Sequence, residues 1–252
     1  MKRLAIITIL SIICSIAGAQ TAHWITADDP TCNERNVWIE FRKDFDLKKK
    51  VKKAETRIAA DSKYWLYVNG QCVVFEGGLK RGPNPNDTYY DMVDLAPYLR
   101  KGKNEVKFLL WYFGKAGFSH KSSGQSGMIF DSPSIGLGSD SSWLSQRLDA
   151  YRTAGKPTVN YRLSEANILY DARLEGQDGY KPSVELGEWG CKPWNNLILR
   201  PIPQWKDYGI KPLEYTVSND GEGNTILTAR LPYNAQMTPV IDLDAAEEGV
   251  LV

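Results

Sequence analysis

Alternation of apolar and polar residues with a period of two constrains this chain more than any other feature of its sequence. In residues 37–47 most apolar side chains fall on odd positions, namely Val37, Ile39, Phe41, Phe45 and Leu47, with Lys43 and Trp38 as exceptions. Mostly charged residues stand between them. A strand places every second residue on one face, whereas a helix places every third or fourth residue there. The segment therefore predicts a half-buried β-strand.

A second alternating segment leads into a hairpin signal. Tyr64, Leu66 and Val68 alternate with Trp65 and Tyr67, and the dipeptide Asn-Gly at 69–70 separates them from an apolar run at 72–75. Asn-Gly favours a two-residue hairpin, because both central residues of a type I′ turn need φ > 0. Further strands are predicted at 106–113, 128–130, 225–231 and 240–243.

Helical patterns are short in this sequence. Asp94 precedes the segment 95–99 and Gly102 follows it, which predicts one capped helical turn. Residues 147–153 predict another short helix. No window keeps apolar residues at i, i+3, i+4 and i+7 for three turns. Short strands separated by turn residues predict an all-β sandwich or jelly roll rather than βαβ units.

Charge and cysteine content exclude several classes of function. The chain has 31 Lys+Arg against 30 Asp+Glu, so it is neither a strongly basic nucleic-acid binder nor a strongly acidic tail protein. Cys32, Cys72 and Cys191 lie too far apart for a C-x-x-C metal or redox motif, and at most one disulfide can join them. His23 and His120 are too few and too widely spaced for a zinc site.

The N-terminus has the three parts of a secretory signal peptide. Lys2 and Arg3 precede an apolar run at 4–16, and Ala17-Gly18-Ala19 follows that run. This arrangement predicts cleavage after Ala19. The apolar run is shorter than the roughly 20 residues that a membrane-spanning helix needs. Cys14 raises a lipoprotein alternative, but the residues before it lack the small side chain that lipoprotein processing prefers. We therefore expect an exported protein, periplasmic, extracellular or at the cell surface, with no membrane span.

Several motifs, in one order, resemble a known family. Residues 64–70 read YWLYVNG, residues 87–91 read DTYYD and residues 94–106 read DLAPYLRKGKNEV. They are similar to the L-Y-V-N-G … Y-D … D-L-x-x-Y-L-x-x-G-x-N-x-V frame of jelly-roll domains that accompany glycoside hydrolases. Residues 135–143, IGLGSDSSW, and 170–173, YDAR, resemble segments of the N-terminal β-sandwich region of bacterial α-L-rhamnosidases, glycoside hydrolase family 78.

The resemblance implies a jelly-roll or galactose-binding-like β-sandwich followed by the start of a second β-domain. The expected organisation is a signal peptide at 1–19, a linker at 20–35, the sandwich at 36–180, a connector at 181–212, and a second, truncated β-sandwich at 213–252.

The family cleaves terminal α-L-rhamnose with inversion, using two carboxyl groups in an (α/α)₆ barrel that follows the sandwiches. This sequence has no run of barrel helices, so no catalytic residue is assigned. We expect the non-catalytic front of an α-L-rhamnosidase-like hydrolase, inactive alone, which scaffolds the missing catalytic domain. A stand-alone carbohydrate-binding module and a structural or adhesion sandwich remain the alternatives.

Sugar binding calls for aromatic ring faces together with carboxylates and amides. The candidate residues stand in three places: Tyr89, Tyr90 and Asp91 beside a Pro/Asn loop; Trp111 and Tyr112 with the loop to His120; and Asp171 with Arg173. The plain explanations are that the aromatic side chains pack in the sandwich and that Asp171 pairs with Arg173. The expected ligand is a rhamnose-containing plant glycan. Some family members carry a calcium-dependent rhamnose-binding module, which leaves calcium open as a cofactor although no ligand set here matches residue by residue.

Overall fold

The computed structural model of the protein describes residues 22–78, 82–118, 120–154, 162–176, 178–206, 208–234 and 240. Regular structure in these residues is almost entirely β-strand: β1 (His23–Thr26), β2 (Val37–Leu47), β3 (Glu55–Asp61), β4 (Lys63–Val68), β5 (Gln71–Gly77), β6 (Thr88–Asp94), β7 (Gly102–Tyr112), β8 (Gly127–Ser132), β9 (Leu137–Gly138), β10 (Leu144–Arg147), β11 (Tyr151–Thr153), β12 (Ile168–Tyr170), β13 (Lys181–Pro182), β14 (Val184–Glu188), β15 (Leu197–Leu199), β16 (Tyr215–Asn219) and β17 (Thr225–Ala229). Short 3-10 helices lie at Pro30–Asn33, Ala96–Tyr98, Pro133–Ile135 and Ala172–Leu174.

Two sheets pack face to face, which confirms the predicted all-β sandwich. The back sheet has the order β14-β1-β8-β3-β6-β15, with β9 added to β8, and the front sheet has the order β13-β10-β2-β7-β4-β5. Their inner faces meet in one hydrophobic core that includes Ile39 and Phe108 from the front sheet and Ile58 and Phe130 from the back sheet. Burial of such side chains is the main force that holds two sheets together.

The longest pairing in the front sheet follows the predicted alternation. β2 pairs with β7 along its whole length, from Val37 opposite Tyr112 to Leu47 opposite Gly102. Ile39 and Phe41 are fully buried in the core, as their odd positions predict. Every even position of β2 consequently points to the outer side of the sheet.

The Asn-Gly hairpin is confirmed between β4 and β5. Asn69 has φ 51° and Gly70 has φ 79°, so both central residues adopt the left-handed conformation that a type I′ turn requires. The Asn69 side-chain amide donates to the carbonyl of Tyr98 at 2.8 Å and to the Asn104 side chain at 2.9 Å. These bonds join the turn to the chain that enters β7.

The two helical predictions have different outcomes. A single 3-10 turn is confirmed at Ala96–Tyr98, and Asp94 accepts a hydrogen bond from the amide of Ala96 at 3.1 Å, but the predicted caps are wrong, because Leu95 is the N-cap and Gly102 begins β7. The helix predicted at 147–153 is wrong, because β10 ends at Arg147 and β11 begins at Tyr151. The Leu148 amide donates to the carbonyl of Trp38 at 2.9 Å, and this sheet contact replaces the helical hydrogen bonds.

Residues in the predicted connector form both edges of the back sheet. β14 pairs antiparallel with β1, and β15 pairs parallel with β6. The chain divides into two compact units, the first ending at Trp205 and the second beginning at Lys206. The second unit contains the β16–β17 hairpin, which confirms the strand predicted near 225–231. The domain boundaries at 180 and 212 stay predictions.

Some predictions fall on parts of the chain that the structure does not describe. The signal peptide with its cleavage site after Ala19 lies outside the described residues, and so does the strand at 240–243 apart from Val240. Within the described part of the chain, no helix has the length and apolarity needed to cross a membrane.

Candidate functional site

An aromatic surface lies on the outer side of the front sheet. Because Ile39, Leu66 and Leu110 point into the core, their neighbours along the strands point outward. The neighbours are largely aromatic, and rings from the β11–β12 hairpin join them. We call this surface the front aromatic face and define it by Trp38, Trp65, Tyr67, Phe75, Trp111, Tyr151 and Tyr170.

Six rings of the front aromatic face, all except Tyr67, form a connected array. The ring centroid of Trp38 lies 4.7 Å from that of Trp111, 5.3 Å from that of Trp65 and 4.3 Å from that of Tyr151, and all three pairs are stacked. Phe75 meets Trp65 edge to face at 6.3 Å, and Tyr170 lies 4.9 Å from Tyr151. Such stacking fixes the rings in a preformed arrangement.

Exposure rises from the centre of this face to its ends. Trp38 is 4% exposed and Trp111 is 5% exposed, whereas Phe75 is 55% and Tyr170 is 47% exposed. Trp65 lies between these extremes. The buried tryptophans therefore act as a base, and the rings around them present surface to solvent.

Carboxylates and phenol hydroxyls are interspersed with the rings. Glu40 accepts a hydrogen bond from the hydroxyl of Tyr180. Burial raises the pKa of the Tyr67 hydroxyl, with nearby Cys72, Tyr151 and Glu40 adding to the effect. A hydrogen bond to Glu175 raises the pKa of Tyr170 to about 12, with a smaller contribution from burial. These tyrosines stay protonated at neutral pH and can donate hydrogen bonds.

Trp111 and Tyr112, predicted to offer a ring face for sugar, are both buried. Trp38 stacks on Trp111, and the Lys63 ammonium lies 5.4 Å from the Trp111 ring centroid. Tyr112 is 1% exposed, and its hydroxyl lies 3.5 Å from the Ser122 hydroxyl. The structure thus places Trp111 within the base of the front aromatic face.

His120 is buried beside a buried carboxylate. Its Nε2 lies 3.4 Å from Oδ1 of Asp61, and its ring meets Phe113 edge to face. Burial would raise the pKa of Asp61, but His120 and hydrogen bonds from the amide of Ser123 and the hydroxyl of Ser62 outweigh that effect and lower it. The arrangement ties the 120–123 loop to the end of β3.

The predicted group on β6 divides between two environments. Asp91 is buried, where it accepts a hydrogen bond from the Tyr64 hydroxyl at 2.6 Å and lies 2.5 Å from the guanidinium of Arg200. Tyr90 packs edge to face against Trp189. Tyr89 is half-buried and pairs in register with Ile198 of β15.

Asp171 and Arg173 pair with each other at the end of β12. Asp171 caps the 3-10 helix Ala172–Leu174, and its carboxylate accepts hydrogen bonds from Nε and Nη2 of Arg173 at 2.8 and 2.7 Å. These hydrogen bonds lower the pKa of Asp171 to about 2. The pair borders the front aromatic face through its neighbour Tyr170.

Trp65, Phe75 and Glu40 were not among the residues that the sequence analysis selected. A signal for Trp65 was nevertheless present, because it stands on β4 opposite to the apolar face of that strand. Glu40 carried a similar signal on β2. The strand pattern does not predict which side chain on a neighbouring strand each ring contacts.

A polar cavity of about 390 Å³ opens near the edge of the front sheet. Asp29, Gln146, Arg147 and Lys181 contribute to its lining, which includes no aromatic side chain among the described residues. Across the described ranges, no three His, Cys, Asp or Glu side chains converge in a way that could hold a metal ion. In the described part of the chain, no disulfide joins Cys32, Cys72 or Cys191 to another cysteine.

The sequence matches no protein-family model, and no curated protein matches it. Solved structures do match. A family GH78 rhamnosidase of Bacillus sp. GL1 is 28% identical over 73% of this chain and 20% of its own, with a TM-score of 0.57. An α-L-rhamnosidase from Aspergillus terreus, 21% identical, shares the fold over 83% of this chain and 26% of its own, with a TM-score of 0.58.

The chain thus spans about a fifth to a quarter of the length of these solved structures. Their similarity confirms the predicted resemblance to the β-sandwich region of family 78 α-L-rhamnosidases.

Proposed function

We propose that this protein is an exported, non-catalytic β-sandwich region of an α-L-rhamnosidase-like glycoside hydrolase, which scaffolds the catalytic domain and holds rhamnose-containing glycans. The observation that carries the proposal is the 28% identity to the Bacillus rhamnosidase over 73% of this chain but only 20% of that enzyme. A match of this extent fits an accessory region of the larger protein.

A hydrolysis assay tests the absence of catalysis. The purified full chain would be incubated with an aryl α-L-rhamnoside, with an active α-L-rhamnosidase as the positive control. We expect no release of the aryl alcohol. Release that scales with protein concentration and persists after repurification would overturn the non-catalytic assignment.

The scaffold role predicts a catalytic partner in the same polypeptide. Sequencing the coding DNA beyond codon 252 should reveal an open frame that encodes periodic helices and paired acids. In that longer protein, deletion of residues 20–252 should lower the melting temperature of the catalytic domain. An unchanged melting temperature would contradict the scaffold role.

The front aromatic face favours a second candidate, a stand-alone carbohydrate-binding module. This alternative requires no catalytic partner, and a stop codon at that point in the gene would support it. Export belongs to both candidates. N-terminal sequencing of the protein secreted by its host should give Gln20 as the first residue, and retention of Met1 would contradict export through a cleaved signal.

A further inference from the structure

We infer that the front aromatic face binds an internal stretch of a glycan chain that lies across several strands, rather than one terminal sugar held in a pocket. The inference rests on the proposed carbohydrate-binding function and names its site. It differs from the sequence-based candidates, because Trp65 and Phe75 provide the exposed rings.

The spacing of the rings supports an extended ligand. The array passes from Phe75 on β5 through Trp65 on β4 and Trp38 on β2 to Tyr151 on β11, in steps of 4.3 to 6.3 Å between ring centroids. Neighbouring strands in a sheet are about 4.8 Å apart. Because Trp38 is buried, a glycan chain that crosses the face would contact the partly or largely exposed rings on either side of it, Trp65 and Phe75 toward one end and Tyr170 toward the other.

The shape of the face also argues against a pocket for one sugar. The most buried rings, Trp38 and Trp111, lie at its centre, and the exposed rings Phe75 and Tyr170 lie toward its ends. A surface of this kind leaves both ends open for a chain to continue. The nearby 390 Å³ cavity encloses more space, but its described lining includes no ring on which the C–H face of a sugar could stack.

Polar groups on the face match the hydroxyl groups of a glycan. The Tyr67 hydroxyl stays protonated, since burial raises its pKa, and can donate or accept a hydrogen bond, whereas the Tyr170 hydroxyl, which already donates to Glu175, can still accept one. The carboxylates of Glu40 and Glu175 accept them. Lys107 lies on the same outer side, in register with Tyr67. The charges are therefore mixed, and rings and hydrogen bonds rather than ion pairs would hold the ligand.

In the other large aromatic cluster, the two stacked tryptophans are not available to a ligand. Trp24 and Trp194, on the outer side of the back sheet, are 0% exposed. Of these two clusters, the front aromatic face is therefore the one with largely exposed rings among the described residues.

Calorimetric titration of the full chain tests the inference. The probes are L-rhamnose and a length series of oligosaccharides cut from a rhamnose-containing plant polysaccharide. We expect affinity to rise with length, so that the longest oligosaccharide binds at least about tenfold more tightly than L-rhamnose. Affinity should change little as salt is raised, because ion pairs contribute little.

Single substitutions locate the binding surface. Trp65→Ala and Phe75→Ala should each weaken oligosaccharide binding about tenfold, which corresponds to the loss of one ring contact. Trp205→Ala is the matched control, since Trp205 is 65% exposed at the end of the first unit and lies outside the face. Circular dichroism and melting curves would verify that each variant is folded.

The outcomes separate the inference from the function on which it rests. If the unsubstituted chain binds no sugar or oligosaccharide, the carbohydrate-binding function fails and the inference fails with it. If the chain binds glycan but the folded Trp65→Ala and Phe75→Ala variants bind equally well, the function stands and this site is wrong. Equal affinity for L-rhamnose and for the longest oligosaccharide would overturn the extended mode of binding.

Discussion

The sandwich carries an aromatic cluster on the outer side of each sheet, and the two clusters differ in what covers them. On the back sheet, Trp24 stacks on Trp194 with 3.9 Å between ring centroids and an angle of 6° between planes, and both are fully buried. Trp189 and Tyr90, which are half-buried, pack beside them. We call these four residues the back tryptophan cluster. On the front sheet, Trp65, Phe75 and Tyr170 stay partly or largely exposed.

The cause of this difference lies late in the chain. β14 and β15 attach to opposite edges of the back sheet, and the loop between them carries Trp189 and Trp194 over its outer side. On the front sheet the β11–β12 hairpin contributes Tyr151 at one side of the face. Aromatic content alone therefore does not distinguish structural packing from a binding surface. The distinction depends on whether another segment of the chain lies over the rings.

The largest loss of stability is expected when Trp194, which covers Trp24 on the back sheet, is removed. Trp194→Ala should lower the free energy of unfolding by about 3–5 kcal/mol, because it leaves a cavity against Trp24 and Gly127. Urea unfolding measures this loss. Trp65→Ala, on the open face, should cost less than half as much. Equal losses for the two variants would show that the two clusters do not differ in burial as described.

A comparable loss of stability is expected when the buried carboxylate of Asp91 loses its ion pair with Arg200, which follows β15. Arg200→Ala leaves Asp91 buried without its cation and should cost about 3–5 kcal/mol. Arg173→Ala is the matched control, because the Arg173 side chain is 88% exposed in its pair with Asp171. Chemical denaturation should detect no change for the control. A harmless Arg200→Ala would mean that the segment after β15 is not held to the sandwich by this ion pair.

A smaller, pH-dependent loss of stability is expected from a substitution at the end of β3, where Asp61 lies beside His120. The pKa of Asp61 is lowered in the folded protein from an ordinary value of 3.8, so its ionised form stabilises the fold above about pH 4. That stabilisation is lost as the pH falls through the folded pKa. Asp61→Asn should therefore be less stable than the unsubstituted chain at neutral pH, and the difference should narrow in acid. Stability curves that stay parallel from neutral to acidic pH would contradict this assignment.

The smallest effect is a difference in thiol reactivity between the two sides. Cys72 is exposed on β5 of the front sheet, and burial raises the pKa of Cys191, which packs against the back tryptophan cluster. Burial raises the pKa of Cys32 to about 12. A disulfide reagent should modify Cys72 first, Cys191 more slowly and Cys32 only on unfolding. Mass spectrometry of digested samples would give the order of modification. Faster modification of Cys191 than of Cys72 would contradict the conclusion that the front sheet is the more exposed of the two.

The sequence predicted the strands whose residues alternate between core and solvent. β2, the β4–β5 hairpin and β7 could be predicted from the sequence, because each has a clear apolar face. β14 and β15 could not, since they are edge strands of five and three residues with largely exposed or half-buried side chains. Their position depends on pairing with β1 and β6, which are distant in the sequence.

The candidate site was less predictable than the fold. Trp111 carries the aromatic character that sugar binding needs, but Trp38 from β2 covers it, and one strand alone does not reveal that neighbour. Asp171 and Arg173 pair with each other, as the plain explanation predicts, and a 3-10 turn brings the two side chains together. Burial of a ring is decided by tertiary packing, so a sequence pattern identifies its strand face and not its exposure.

The most direct test of the account follows the tryptophan indole groups during glycan titration. In protein labelled with ¹⁵N-tryptophan, each indole N–H gives its own resonance, and substitutions such as Trp65→Phe assign them. On addition of the longest rhamnose-containing oligosaccharide, we expect the largest shift at Trp65, smaller shifts at Trp38 and Trp111, and none at Trp24 or Trp194. Shifts at Trp24 and Trp194 with Trp65 unchanged would contradict it.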